Sequence, residues 1–171
     1  TLGIQPGGSD WAPGTLTLKI QNNTGSTITS FTINYNLYVQ NDQGRSNSFD
    51  LSYSTDDANF NTQITYTSIA AADANGFVNN PGSTTINSLS IANGSFFYLR
   101  WSGADVGGSG SRDEFALDNI VVNASGAVGT TTITAGLGAE PATISSLINS
   151  QGASVLNFDV DIKDDGATPG N

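Results

Sequence analysis

Apolar and polar residues alternate with a period of two along much of the chain. In the segment 31–40, FTINYNLYVQ, every second residue is large and apolar. This spacing places the apolar side chains on one face of a β-strand and the polar side chains on the other. The same alternation recurs in residues 16–20, 49–53 and 97–101. The pattern therefore predicts strands that are buried on one face only.

Shorter runs with β-strand composition lie between these segments: TQITYTSIA, STTINSLSI and EFALDNIVV. The joints between the runs are rich in Gly, Asn, Asp and Ser, as turns are: NNTGS, NDQGRS, STDDAN, NNPGS and ANGS. Seven strands at this spacing, with no helical period, predict an antiparallel β-sandwich over residues 1–124.

The strand pattern restarts in residues 125–171, after a small and glycine-rich joint. The runs are TTTITAG, ATISSLI and SVLNFDVDIKDDG, and the last of them carries an apolar row, Leu156, Phe158, Val160 and Ile162. Two or three strands cannot bury an apolar face alone. We therefore expect residues 125–171 either to complete the first sandwich, in their own or a neighbouring chain, or to begin a second module.

Composition narrows the possible functions. With 37% hydrophobic residues, the 171-residue chain is long enough to bury a core. The 15 acidic and 5 basic residues give a net charge of −10, which argues against a nucleic-acid partner. The chain has no Cys, His or Met, which removes thiol chemistry, imidazole bases and the usual zinc ligands. No apolar run is long enough for membrane insertion, and no leader is recognisable, so an exported form would already have lost its leader.

The stretch 104–122, ADVGGSGSRDEFALDNIVV, combines a glycine-rich segment with carboxylates. It lacks the Lys-Ser/Thr ending of a phosphate-binding loop, and it misses the calcium-binding glycine-aspartate repeat by one residue. Asp113 and Glu114 are adjacent, so in a strand they point to opposite faces and do not act on one bond together. Because the usual His and Cys partners for base and nucleophilic catalysis are also absent, we predict that the protein is not an enzyme, and glycan-active catalysis is a weak third alternative.

A calcium ion suits these residues better, since it takes oxygen ligands and needs neither His nor Cys. The candidate ligands are Asp105, Asp113, Glu114 and Asp118. The alternative is a solvated loop in which the acids bind nothing and the glycines only make the turn. A second candidate cluster lies in residues 125–171, here called the tail: Asp159, Asp161, Asp164 and Asp165. Its alternative is an acidic edge strand that repels neighbouring strands.

Residues 96–122, FFYLRWSGADVGGSGSRDEFALDNIVV, resemble the closing strands of jelly-roll modules in secreted, multi-modular surface proteins of Bacteroidota-type bacteria. The last strand, FALDNIVV, is also similar to a strand of MAM domains and of jelly-roll carbohydrate-binding modules. The resemblance covers residues 1–124 and implies a jelly-roll-like β-sandwich. It further implies that Asp118 helps to hold a structural calcium, and that the module binds or assembles without catalysing a reaction.

The chain departs from the resemblance at both ends. Related modules begin with a strand ahead of the segment that looks like LGIQPGGSDWAPGTLTLKI, and the tail looks like the opening of a following module. We therefore expect either a fragment of a longer protein or tail strands that fill the gap. If those strands fill it in a neighbouring chain, the protein is a structural subunit that self-associates into a filament or surface layer by strand addition.

The polar faces of two strands suit a glycan. Aromatic rings stack on the faces of sugar rings, while amide groups form hydrogen bonds with sugar hydroxyls. The alternative interpretation is an ordinary solvated sheet face that binds nothing. The candidate ligand-binding residues are Asn34, Asn36, Tyr38 and Gln40 in one row and Tyr98 and Arg100 in another. The sequence thus predicts a non-catalytic, secreted or cell-surface module for adhesion or carbohydrate binding, with polysaccharide or other surface modules as partners and a structural calcium.

Overall fold

The computed structural model describes residues 1–7, 11 and 13–125, together with the backbone of residues 131–135 and 158–164. The described residues form ten β-strands and no helix. The strands are β1 (Leu2–Ile4), β2 (Gly14–Gln21), β3 (Ser30–Gln40), β4 (Arg45–Ser54), β5 (Asn61–Ile64), β6 (Phe77–Ile86), β7 (Phe96–Gly108), β8 (Glu114–Ser125), β9 (Thr131–Ala135) and β10 (Phe158–Asp164).

The strands form two antiparallel sheets. Sheet A has the order β1-β8-β3-β6, and β9 also pairs with β8. Sheet B has the order β10-β2-β7-β4-β5. Consecutive strands therefore alternate between sheets in several places, as Greek-key connections require. The structure confirms the predicted all-β, antiparallel, jelly-roll-like sandwich.

The apolar positions of the alternating segments form the core between the sheets. Aromatic pairs connect the two sheets: Phe31 stacks on Phe97 with centroids 4.6 Å apart, and Tyr35 meets Trp101 edge-on at 5.5 Å. Such pairs add about 0.5–1.5 kcal/mol each to the burial of the rings. The largest fully buried side chains include Trp101, Phe31, Phe49, Phe97, Phe115, Leu16, Ile20, Ile33 and Leu37.

Three of the predicted segments were wrong in detail, and one of them, the run STTINSLSI, is a strand only as far as Ile86, where β6 ends. The segment NNPGS, predicted as a turn, lies inside β6, which begins at Phe77. Because β6 is the edge of sheet A, Pro81 is tolerated there. In TQITYTSIA, only the first residues belong to a strand, since β5 ends at Ile64. The three-residue β1 is too short to leave an alternation in the sequence.

The tail contributes one strand to each sheet. β9 pairs with β8, and β10 pairs with β2 along its whole length. Phe158, Val160 and Ile162 are in register with Ile20, Leu18 and Leu16. The run ATISSLI and Leu156 lie outside the described residues. The division into a sandwich over 1–124 and a segment 125–171 stays a prediction.

In the part of the chain that the structure describes, no helix is long and apolar enough to span a membrane.

Candidate functional site

Asp105, near the end of β7, is held between two arginines. Its carboxylate accepts hydrogen bonds from Arg112 Nε at 2.7 Å and from Arg45 Nη1 at 2.5 Å. The hydrogen bond from Arg112, followed by that from Arg45, holds the pKa of Asp105 below its usual range. Both carboxylate oxygens are therefore engaged by protein donors.

Asp113, just before β8, is fully buried at 0% exposure. Its Oδ2 accepts a hydrogen bond from the Ser68 hydroxyl at 2.5 Å, and its Oδ1 accepts one from the Gln43 N–H at 3.1 Å. A buried carboxylate is tolerated only when donors replace the lost water. Asp113 thus anchors the segments around Gln43 and Ser68 to the start of β8.

Asn47 connects these two acids. Its Nδ2 donates to Asp105 Oδ1 at 2.9 Å, and its Oδ1 accepts the Asp113 N–H at 3.3 Å. Asn47 is 2% exposed. The amide therefore joins the end of β7 to the start of β8 inside one hydrogen-bonded network.

Glu114 and Asp118 lie along β8, away from that network. Glu114 accepts a hydrogen bond from Gln5 Nε2 at 3.0 Å, and burial, with the nearby charge of Asp42, raises its pKa. Asp118 accepts hydrogen bonds from the Thr1 hydroxyl and the Asn119 N–H, which lower its pKa, the Thr1 hydroxyl having the larger effect.

The candidate calcium ligands do not converge on one point. The structure links Asp105 and Asp113 through Asn47, whereas Glu114 and Asp118 have other partners. Among the residues that the structure describes, no group of three or more His, Cys, Asp or Glu side chains is arranged to hold a metal ion. Calcium binding stays a prediction.

The second acidic cluster is described only at backbone level. Asp159, Asp161 and Asp164 lie on β10, in register with Lys19, Thr17 and Gly14 of β2. Asp165 lies outside the described residues.

The amide row of β3 lies on the outer face of sheet A. Asn34, Asn36, Tyr38 and Gln40 are all partly exposed. Their side chains already bond to neighbours: Asn34 Oδ1 accepts a hydrogen bond from Ser83 Oγ at 2.8 Å, and Gln40 Nε2 donates one to Asp42 at 3.1 Å. This face offers a bonded polar surface with a single aromatic ring in the predicted row.

Tyr98 and Arg100 lie on the outer face of sheet B, because their neighbours Phe97, Leu99 and Trp101 point into the core. The whole sandwich therefore separates them from the amide row. The two predicted rows cannot contact the same sugar.

Tyr98 and Arg100 belong to a larger surface that also contains Lys19, Phe60 and Phe96, here called the cationic-aromatic face. The Lys19 ammonium lies 4.3 Å from the Phe96 ring centroid and 6.0 Å from that of Tyr98. The Arg100 guanidinium lies 3.6 Å from the Phe60 centroid. Each cation thus packs against an aromatic ring, an arrangement that suits both groups.

Neighbouring residues hold Arg100 and Phe60 in place. Arg100 donates to Thr17 Oγ1 at 2.9 Å and pairs with Asp57 at 3.2 Å. The turn before Phe60 is closed by Asp56, which accepts hydrogen bonds from backbone N–H groups of Ala58 and Asn59. These bonds, with that of the Asn59 side chain, hold the pKa of Asp56 well below its usual range.

A pocket of about 350 Å³ adjoins this face at Phe96. Its lining is largely hydroxyl-bearing, with Thr55, Ser88, Ser90 and Ser95, beside Tyr53 and Leu89. A volume of this size falls in the range of small-ligand sites.

No model of a known protein family matches this chain, and no curated protein matches it. The chemistry of the site therefore follows from its own residues.

Sequence reasoning missed Lys19 and Phe60. Lys19 has a usable signal, since the alternation of β2 places it on the face opposite Leu18 and Ile20. Phe60 precedes β5 in a turn, where no periodicity shows which way a side chain points. Lys19, Phe60 and Tyr98 give the face positive charge and aromatic surface, and the hydroxyl-lined pocket adjoins it at Phe96.

Proposed function

We propose that the protein is a non-catalytic binding module of a secreted or cell-surface protein, and that it holds a polysaccharide on the cationic-aromatic face. The observation that carries this proposal is the placement of Tyr98 and Phe96 on an outer sheet face, next to a pocket lined by hydroxyl groups. Aromatic rings stack on the apolar faces of sugar rings, while hydroxyl groups exchange hydrogen bonds with the sugar.

The alternative surface, the amide row of sheet A, supports sugar binding less well. Its amide oxygens at Asn34 and Asn36 already accept hydrogen bonds from Ser83 and Asn79. Tyr38 is the one ring of that predicted row. The resemblance of residues 96–122 to jelly-roll modules of secreted surface proteins, and of the strand FALDNIVV to carbohydrate-binding modules, also favours a binding role.

Tyr98→Ala should weaken retention on a polysaccharide that the parent protein binds at least tenfold, which corresponds to a loss of about 1.4 kcal/mol in binding free energy. The ring lies outside the core, so the unfolding transition should change little. Retention is measured by affinity electrophoresis on a panel of plant, algal and bacterial glycans.

Tyr38→Ala is the matched control, because it removes the same side chain from the opposite face. Loss of retention in Tyr38→Ala with normal retention in Tyr98→Ala would assign the ligand to sheet A. If no glycan of the panel retains the parent protein, carbohydrate binding is wrong.

A second candidate function is assembly by strand exchange. The position of β10 favours this candidate. Among the described strands β10 pairs only with β2, and it forms one edge of sheet B. Without β10, β2 would expose unpaired backbone groups on a strand whose Leu16 and Leu18 lie in the core. A second copy carries an identical strand, so exchange between copies conserves every contact.

Cysteine pairs test this candidate cleanly, because the chain has no native cysteine. Thr15 and Lys163 are in register, so Thr15→Cys with Lys163→Cys should form a disulfide under mild oxidation. Assembly by exchange predicts cross-linked dimers and larger species on a non-reducing gel, whereas pairing within one chain gives a cross-linked monomer.

The pair Thr15→Cys with Asp161→Cys is the control, since Asp161 is in register with Thr17, two residues from Thr15, and this pair should cross-link poorly. Cross-linking only within single chains would contradict assembly by exchange.

A further inference from the structure

We infer that the polysaccharide held by the cationic-aromatic face is acidic, and that the Lys19 ammonium binds its carboxylate groups. The inference rests on the proposed function and names the class of sugar. The positive charges of the described residues are distributed so that one of them lacks an acidic partner.

The arginines already have acidic partners. Arg45 and Arg112 both pair with Asp105, and Arg100 pairs with Asp57. Lys19 makes no ion pair with any described side chain. Within the described part of the chain, it is therefore the cation available to a carboxylate from outside.

The position of Lys19 couples charge recognition to ring stacking. Its ammonium lies 4.3 Å from the Phe96 centroid and 6.0 Å from the Tyr98 centroid, on the face where a sugar would stack. An ammonium has three donors and no acceptor, and charge-assisted bonds to a carboxylate are stronger than bonds to a hydroxyl. A sugar that stacks on Tyr98 and carries a carboxylate satisfies both groups at once.

The distant negative charges of the chain oppose this binding only weakly, whereas Asp159 lies on the neighbouring strand in register with Lys19. At physiological ionic strength the screening length is about 8 Å, so charges elsewhere on the surface are largely damped. The acids closest along the chain to Phe60 are already engaged, because Asp57 pairs with Arg100 and Asp56 accepts hydrogen bonds from its own turn.

The alternative role for Lys19 is to hold the tail strand. β10 sets Asp159 in register with Lys19, so the lysine could serve only to hold the tail strand. In that case Lys19→Met would lower the unfolding temperature and leave sugar binding unchanged.

The test compares polygalacturonate and alginate, each beside its methyl-esterified neutral form, with the full chain. We expect at least one acidic polymer to retain the parent at least tenfold better than its ester. Lys19→Met, which keeps the apolar stem, should reduce that retention to the level of the ester. Lys19→Arg should keep most of it, because the charge remains.

The inference is overturned if acid and ester retain the parent equally, if only the esters retain it, or if Lys19→Met leaves acidic binding unchanged. In the first two cases the proposed function stands, because a sugar still binds. If neither these polymers nor the wider glycan panel retains the parent, the proposed function fails together with the inference.

Discussion

Asp113→Ala should lower the free energy of unfolding by about 2–4 kcal/mol, because the change leaves the Ser68 hydroxyl and the Gln43 N–H without their buried acceptor. Asp113 is fully buried, so water cannot replace the carboxylate without opening the network. Urea unfolding at neutral pH, followed by tryptophan fluorescence, measures the loss from the shift in midpoint.

Two further variants calibrate that result. Asp57→Asn removes the charge from a solvent-accessible ion pair with Arg100 and suits the left-handed backbone of residue 57, so it should cost at most about 1 kcal/mol. Asp113→Asn keeps one acceptor oxygen and should fall between the two, which also secures a measurement if the alanine variant does not fold. A loss in Asp113→Asn no larger than in Asp57→Asn would show that the buried network does not stabilise the sandwich.

Gly82→Ala should cost about 1–3 kcal/mol, as overpacking of a filled core does. A Cβ at Gly82 would lie 2.2 Å from Tyr35 Cζ and 2.4 Å from Cε1. Tyr35 has little room to move, since it is 3% exposed and meets Trp101 edge-on. Burial also raises the pKa of Tyr35 to about 12, so the ring stays neutral at ordinary pH. Thermal unfolding followed by circular dichroism reports the change.

The same substitution at Gly3 is the control, because a Cβ there has no atom within 4 Å. Shortening the facing side chain provides a second check. In the background Tyr35→Leu, adding Gly82→Ala should cost less than it does in the parent, since the ring no longer occupies the space. Equal costs in the two backgrounds would contradict the proposed clash.

The alternation of residue types was enough to predict the core but not the edges. Phe31 through Val39 fall every second residue on the buried face of β3, as the sequence indicated. Edge strands bury less, so their sequences show less alternation. Thus β6 is mostly exposed, and its central residues 79–83, which include Pro81, have the composition of a turn, so the sequence predicts a turn there.

The candidate sites depended on contacts that local patterns do not encode. Tyr38 and Tyr98 were both correctly expected on outer faces, but which sheet each strand joins is decided by pairing between distant segments. Asp113 shows the same limit. Its partners Gln43 and Ser68 come from far earlier in the chain, so the sequence showed an acid beside glycines without showing its burial.

Pro81 makes the β6 edge of the sandwich less able to pair with another strand than the β10 edge. Proline has no N–H, and within a sheet it sits where its nitrogen faces away from the paired strand. The outward row of donors on β6 is therefore broken at its centre, and β5, which contacts β6, is only four residues long. Both edges on this side are poor templates for a foreign strand, whereas β10 offers seven consecutive residues on the other side. Pairing with a foreign strand is thus favoured at the β10 edge over the β5 and β6 edges, and two copies that pair through this same edge form a closed dimer that does not grow further.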